Sequence, residues 1–319
     1  MERETFTSLT GLRCVLAAWI MVYHLISMYG ATELAESPLI AVGNARVDIF
    51  FVLSGFVLAH VYAVRAEAQR KGFDYPKFLV ARAARLYPLH LLGLAFLGVA
   101  VAAAAILGKI AEVQQFSVLG LVANLLMLQA TYIPEAAAWN FPAWTLSAEA
   151  FGYLLFPAFI AVGAWLRGRG MIFWGLAVVV VGLVGAVWPL LGHGPLSEAT
   201  QILGIARGAA CMFVGVAARH AFEDLKLTAM QAFVVAACGA LIAGVAAIQG
   251  FDLWMVALGA SGLIFGVAGL DRAGVVTPLA HPVIETLGRW SYGMYILDVP
   301  LFIIMKRGLG VLGWDGVLT

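Results

Sequence analysis

The chain has 319 residues, of which 63% are hydrophobic and 12% are charged, and its mean hydropathy is +0.95. Soluble domains carry about 25% charged residues, so this composition excludes an ordinary soluble protein and indicates the lipid bilayer as the main solvent. The net charge of +1 provides no general basic field, which excludes nucleic acid as an expected partner.

A membrane-spanning helix needs about 20 mostly apolar residues. The chain holds ten segments of about this length with short loops between them, so it predicts one all-α, polytopic transmembrane helix bundle that covers residues 1–319 as a single domain. The segments are residues 10–30, 45–64, 87–108, 116–133, 143–166, 171–191, 199–219, 228–248, 252–270 and 286–306.

The distribution of basic residues predicts the topology, because cytoplasmic loops are enriched in lysine and arginine. The loop after the second segment is rich in both, whereas the loop before it holds Glu33 and Glu36, so the amino terminus is expected in the cytoplasm. If all ten segments crossed, the basic residues of the later loops would lie outside. We therefore expect segment 116–133, which contains Asn124 and Gln129, to be re-entrant rather than spanning.

Arg13 and His24 interrupt the first apolar segment. They lie eleven positions apart, so in a helix they share one face and are separated by about 16 Å. Neutral imidazole can accept a proton near neutral pH, which makes His24 a candidate general base. The alternatives are a hydrogen-bonded packing role for His24 and a membrane-surface anchor for Arg13.

Arg82 and Arg85 lie three residues apart in the stretch that leads into the third segment. In a helix they project to similar sides, and two guanidinium groups suit a ligand that carries phosphate. The alternative is simple anchoring at the cytoplasmic surface. None of the three cysteines lies in a CxxC or metal-like spacing, so no metal site is expected.

Four further ionisable residues inside apolar segments are followed, because charge there is costly and is usually functional. Asp48 lies in the second segment, Glu149 in the fifth, Arg207 in the seventh and Asp298 in the tenth. We expect Glu149 to pair with His24 or Arg207, or else to be protonated. Ser54 lies in the second segment within SGF, which lacks the strand-turn-helix context of a hydrolase nucleophile, and so it is not predicted to be one.

Five motifs in order, between about residues 9 and 301, resemble the acyltransferase 3 family of multispanning membrane O-acyltransferases. They are LTGLRCVLAAWIMVYH, VDIFFVLSGFVLAH, RAARLYP, WTLSAE and LGRWSYGMYILDVPL. The resemblance implies transfer of an acyl group, most commonly acetyl, from cytoplasmic acyl-CoA to a hydroxyl of a carbohydrate or glycolipid. It also implies a protein of the bacterial cytoplasmic membrane that acts on cell-envelope polysaccharide and needs no tightly bound cofactor.

The resemblance assigns roles to five residues of this chain, and five others are expected at the acceptor site. His24 would deprotonate the acceptor hydroxyl with the help of Glu149, and Arg13, Arg82 and Arg85 would hold the phosphates of coenzyme A. The residues expected to line the acceptor site are Asp48, Trp144, Arg207, Tyr292 and Asp298.

The chain departs from the family pattern at two positions. Arg46 occupies a position where the family commonly has glycine, and Asp298 one where it commonly has histidine, so no imidazole chemistry is expected at residue 298. The family also usually has a further apolar span after the last motif, and we expect that this final transmembrane helix is missing here. A transporter or flippase of an acylated or anionic solute, and an inactive binding relative, are the two competing interpretations.

Overall fold

A computed structural model describes residues 5–29, 37, 43–63, 73–108 and 114–311, and within these ranges it is all-helical. The expected all-α fold is therefore confirmed. The helices are α1 Thr7–Tyr29, α2 Gly43–Leu58, α3 Tyr75–Ile106, α4 Val118–Leu125, α5 Trp144–Trp165, α6 Gly170–Val187, α7 Gly204–Asp224, α8 Ala229–Ile248, α9 Leu253–Arg272 and α10 Pro282–Val311. A π-helical turn, Ala59–Ala63, continues α2, and short 3₁₀ turns occupy several loops.

Six of the described helical segments are long and apolar enough to cross a bilayer. They are Thr7–Tyr29, Tyr75–Ile106, Phe141–Trp165, Gly170–Leu191, Ala229–Ile248 and Leu253–Arg272. The prediction of about ten spans is not confirmed. Helix α2 has only 16 residues, and α7 and α10 carry charged side chains along their length, which lowers their hydropathy below that of a clear span.

The segment predicted to be re-entrant contains only the eight-residue helix α4. Such a helix is about 12 Å long, which is too short to cross a bilayer and agrees with the expectation that this segment does not span. Buried polar groups fasten it inside the bundle: the Asn124 side chain donates to the carbonyls of Gly120 and Ala136, and a ring nitrogen of His90 on α3 lies 2.9 Å from the Asn124 carbonyl.

Glycines allow several helices to approach closely. A Cβ atom at Gly239 of α8 would overlap the backbone of α9, and one at Gly215 of α7 would overlap the backbone of α2 at Val52. Helix association in membranes depends on such close backbone contact, since lipid removes the hydrophobic driving force between helices. These contacts fix the frame on which the polar side chains are displayed.

The start of α1 and the carboxyl ends of α2, α7 and α9 lie together at one end of the bundle. Ser8 donates hydrogen bonds to Asp271, and Arg219 donates to a ring nitrogen of His60. Five residues used in the topology prediction lie outside the described residues: Glu33, Glu36, Arg65, Arg70 and Lys71. The side of the membrane that this end faces stays a prediction.

Candidate active site

A cavity, the central cavity, lies among α1, α2, α3, α5 and α10. Its lining includes Arg13, Ile20, Ser54, Arg85, Glu149 and Tyr295. Polar side chains from five helices, widely separated in the sequence, therefore converge on one space. A cavity with a few placed polar groups in an apolar wall is the usual form of a small-molecule site.

Two guanidinium groups line the central cavity. Arg13 comes from α1 and Arg85 from α3, and neither receives a hydrogen-bond or ion-pair partner within the described residues. Guanidinium donors without protein acceptors favour an anionic ligand, because each group retains its fork of N–H bonds for carboxylate or phosphate oxygens.

Glu149 lies on the same cavity wall. Its Oε1 atom accepts hydrogen bonds from the Ser54 hydroxyl at 3.0 Å and from the Tyr153 hydroxyl at 2.6 Å. Tyr153 follows Glu149 by four residues, which places both side chains on one face of α5. Since both hydrogen bonds go to Oε1, the described residues leave Oε2 without a hydrogen-bond donor.

His24 lies beyond the cavity on α1 and contacts α10. Its Nδ1 atom is 2.7 Å from Oδ2 of Asp298, and both residues are buried, with 9% and 2% of their surfaces exposed. Arg13 and His24 lie in one continuous helix, as the predicted shared face requires, but Arg13 lines the cavity whereas His24 contacts Asp298 of α10.

Tyr295 lines the central cavity and also lies near His24. Its ring centroid is 6.0 Å from that of His24. The Tyr295 hydroxyl lies 3.0 Å from the Pro142 carbonyl and 3.1 Å from the Thr145 hydroxyl, which hold the ring in place. His24 itself is not among the described residues that line the cavity.

Asp48 and Arg207 form a closed ion pair. Arg207 donates to both carboxylate oxygens of Asp48, with Nε–Oδ1 and Nη2–Oδ2 distances of 2.7 and 2.9 Å, and a third contact reaches the Ala199 carbonyl. The Trp144 ring lies 5.4 Å from this guanidinium group. All three side chains are buried and none lines the central cavity, so they are poorly placed to bind an acceptor there.

Arg82 and Arg85 face different spaces. Arg82 donates to the Tyr62 hydroxyl at 3.0 Å and lines a second space, the side cleft, with Leu79, Leu126, Leu128, Tyr153 and Leu154. The side cleft has a mostly apolar lining. Of the three arginines expected to hold a donor, only Arg13 and Arg85 share the central cavity.

The expected pairing of Glu149 with His24 or Arg207 is wrong. His24 contacts Asp298 and Arg207 contacts Asp48, while Glu149 is bonded to Ser54 and Tyr153. Hydropathy and helical spacing order residues along a helix, but they do not show which helices pack together.

Sequence reasoning missed Tyr153, Thr145 and Tyr295 as residues of the site. The spacing of four from Glu149 to Tyr153 was a signal that could have found the first. Of the expected acceptor ligands, Tyr292 does line the central cavity, and its hydroxyl donates to the Leu86 carbonyl.

Arg46, which replaces the glycine common in the family pattern, packs against an aromatic ring. The guanidinium group of Arg46 lies 3.6 Å from the ring centroid of Trp19, and the side chain is 2% exposed. A cation over an indole face is favourable when water is excluded. This arginine therefore packs within the bundle.

Comparison with known proteins identifies relatives along nearly the whole chain. A family model described as an acyltransferase domain matches residues 6–319. An acyltransferase named MdmB, from Streptomyces mycarofaciens, is 27% identical over 351 aligned residues, which cover 97% of this chain and 81% of that protein. The protein named "Protein 2 in picA locus", from Rhizobium radiobacter, is 43% identical over 95 residues, or 30% of this chain and 44% of that protein. No solved structure matches.

Proposed function

Because this chain belongs to the acyltransferase domain family, we propose that it is a membrane O-acyltransferase that moves an acyl group, acetyl in the first instance, from acyl-CoA to a hydroxyl of a carbohydrate or glycolipid. The apolar helices support an integral membrane protein. The observation that carries the proposal is the central cavity, which has two available guanidinium groups and a carboxylate on its wall and is lined by Tyr295, whose ring centroid is 6.0 Å from that of the buried His24.

The donor is the anionic partner in this proposal. Coenzyme A carries phosphate groups, and Arg13 and Arg85 offer guanidinium donors to the same space. Charge-assisted hydrogen bonds of this kind are about twice as strong as neutral ones. The thioester end of the donor then reaches further along the cavity, towards Tyr295.

His24 is the general base. Its Nε2 atom takes the proton of the acceptor hydroxyl as the hydroxyl oxygen forms a bond to the acyl carbon. The carbon–sulfur bond of the thioester breaks, and the leaving thiolate takes up the proton to give free coenzyme A. Glu149 assists by accepting a hydrogen bond from the acceptor through Oε2, the oxygen that the described residues leave available.

The substitution His24→Ala tests the proposal. Membrane vesicles that carry the protein and the host's envelope acceptors are supplied with radiolabelled acetyl-CoA, and incorporation into acceptor is measured. Loss of a general base lowers the rate by about 10²- to 10⁴-fold, so we expect His24→Ala to reduce incorporation to that extent while the protein remains folded.

His193→Gln is the matched control, because this imidazole packs against Trp188 in a loop and not at the cavity. It should transfer at the wild-type rate. Undiminished transfer by folded His24→Ala would refute the base assignment, and uptake of a labelled solute into vesicles without acyl transfer would support the transporter interpretation instead. Mass spectrometry of envelope glycans with and without the protein identifies the acceptor.

A further inference from the structure

We infer that Asp298 is a positioning residue that fixes the tautomer and orientation of His24. This inference rests on the proposed function, in which His24 is the base. It replaces the expectation that Asp298 binds the acceptor, and it starts from the 2.7 Å contact between His24 Nδ1 and Asp298 Oδ2, which joins α1 to α10 across 274 positions of the sequence.

Both oxygens of the Asp298 carboxylate are in use. Oδ2 faces His24 Nδ1, and Oδ1 accepts the backbone N–H of Val299 at 2.6 Å. The residue is 2% exposed and does not line the central cavity. A carboxylate with this surrounding is poorly placed to bind a substrate hydroxyl and well placed to hold one imidazole.

The local structure of α10 keeps this carboxylate in place. Pro300 cannot donate a helical hydrogen bond to the carbonyl of residue 296, and the Asn140 side chain donates to that carbonyl at 3.3 Å. The proline therefore frees a carbonyl of the turn that carries Asp298, and a side chain from the loop before α5 binds it. A side chain from outside α10 therefore helps to hold the turn that carries Asp298.

The contact decides which ring nitrogen of His24 is basic. A carboxylate only accepts hydrogen bonds, so Nδ1 must carry the hydrogen in this pair. In neutral imidazole the other nitrogen, Nε2, then has the lone pair that removes a proton from a hydroxyl. The negative charge of Asp298 also stabilises the imidazolium ion that forms, as an orienting carboxylate does in other histidine-based sites.

The substitution Asp298→Asn tests the inference. The amide keeps the volume of the carboxylate, but it lacks the charge, and its NH₂ group can donate to Nδ1 and so favour the opposite tautomer. We expect turnover with acetyl-CoA in vesicles to fall by about 10²-fold or more, up to the 10⁴-fold that the base itself contributes, while the KM for acetyl-CoA is unchanged.

Nitrogen NMR measures the tautomer of His24, which would not change if Asp298 only stabilised the fold. In ¹⁵N-histidine-labelled protein in lipid nanodiscs, the His24 signals are identified by their absence from the His24→Gln spectrum. The wild-type protein should show the tautomer with hydrogen on Nδ1, and Asp298→Asn should shift the population towards hydrogen on Nε2. Asp271→Asn is the control, because Asp271 is bonded to Ser8 at one end of the bundle.

Two further variants make the outcomes distinct. Asp298→Glu keeps a carboxylate and should retain the wild-type tautomer and exceed Asp298→Asn in turnover, which also provides a measurement if the asparagine variant does not fold. The double variant His24→Ala/Asp298→Asn should be no slower than His24→Ala, because one residue acts through the other.

The results separate this inference from the proposed function. Full turnover and an unchanged tautomer in Asp298→Asn, with turnover lost in His24→Ala, would overturn the positioning role and leave the base assignment intact. If His24→Ala retains turnover, the proposed base fails whatever Asp298 does. An Asp298→Glu protein that is folded but has lost the wild-type tautomer would also contradict the inference.

Discussion

The Asp48–Arg207 pair and the cluster of Arg13, Arg85 and Glu149 are two groups of ionisable side chains in the same bundle, and they are organised in opposite ways. In the first, guanidinium and carboxylate bind each other through two hydrogen bonds. In the second, the described residues leave both guanidinium groups and one carboxylate oxygen available on a cavity wall. Both are ionisable groups in apolar helices, and only the second can bind a ligand without first breaking an existing pair.

Their surroundings explain the difference. The side chains of Arg207 and Asp48 are 0% and 1% exposed, with Trp144 close to the guanidinium group. Arg85 is exposed and opens to the central cavity. The closed pair is thus a contact between α2 and α7, whereas the open cluster offers charge to a cavity. Mutations should therefore change stability at the first and kinetics at the second.

The largest expected effect is the loss of stability in Arg207→Ala. Removing one partner leaves Asp48 as an uncompensated carboxylate in a buried site, which costs about 3–5 kcal/mol of unfolding free energy. Thermal unfolding of the detergent-solubilised protein, followed by circular dichroism, measures the change. Arg85→Ala serves as the comparison, and its unfolding transition should match that of the wild type.

A double variant separates the charge from the packing. Replacing a buried ion pair by apolar side chains of similar volume is often neutral or stabilising, so Asp48→Leu/Arg207→Met should recover most of the stability that Arg207→Ala loses. If the double variant is also strongly destabilised but transfers acyl groups normally, the pair stabilises the fold through its packing and not through its charges. Loss of transfer in a stable double variant would instead place the pair in the reaction and end the contrast between the two clusters.

The next effect is on donor binding in Arg85→Ala. A hydrogen bond to a charged group is worth about 1.5–3 kcal/mol, so the KM for acetyl-CoA should rise by about 10- to 100-fold. Initial rates of label incorporation over a range of acetyl-CoA concentrations measure it. Arg82→Ala is the matched variant, since Arg82 lies one helical turn earlier but faces the side cleft and binds Tyr62.

Arg82→Ala should leave the KM for acetyl-CoA close to the wild-type value. Equal increases in both variants would mean that the two arginines hold one ligand that extends across both spaces, as the sequence alone predicts. An increase in Arg82→Ala alone would move the donor to the side cleft and contradict the proposed function's use of the central cavity.

The positions of the helices could be predicted from the sequence, because apolar runs of about 20 residues are a strong local signal. The placement of Arg13 and His24 on one continuous helix followed in the same way from the first apolar run. The basic residues of the later loops, together with Asn124 and Gln129, predicted that segment 116–133 does not span, and the short α4 agrees with this. The first two of these features depend on residues close together in the chain.

The partners of the polar side chains could not be predicted in this way. His24 and Asp298 meet only because α1 packs against α10, and neither helix carries a local signal for that contact. Arg82 and Arg85 differ by about 60° around the helix axis, a small angle that places them in separate spaces because α3 borders both. Contacts between distant helices decide the site.

The smallest effect is expected for Ser54→Ala. This variant tests whether Glu149 only accepts a hydrogen bond from the Ser54 hydroxyl or also activates that hydroxyl as a nucleophile. Ser54 lies 3.0 Å from Glu149 on the cavity wall, an arrangement that would also suit a nucleophile beside a base. Tyr153 still donates to the same oxygen in the variant, so the loss of one hydrogen bond, about 1 kcal/mol, should slow transfer by about five-fold. Complete loss of transfer, with an acyl-serine adduct detected on wild-type protein by mass spectrometry after a brief exposure to acetyl-CoA, would show a covalent mechanism and remove direct attack by the acceptor hydroxyl.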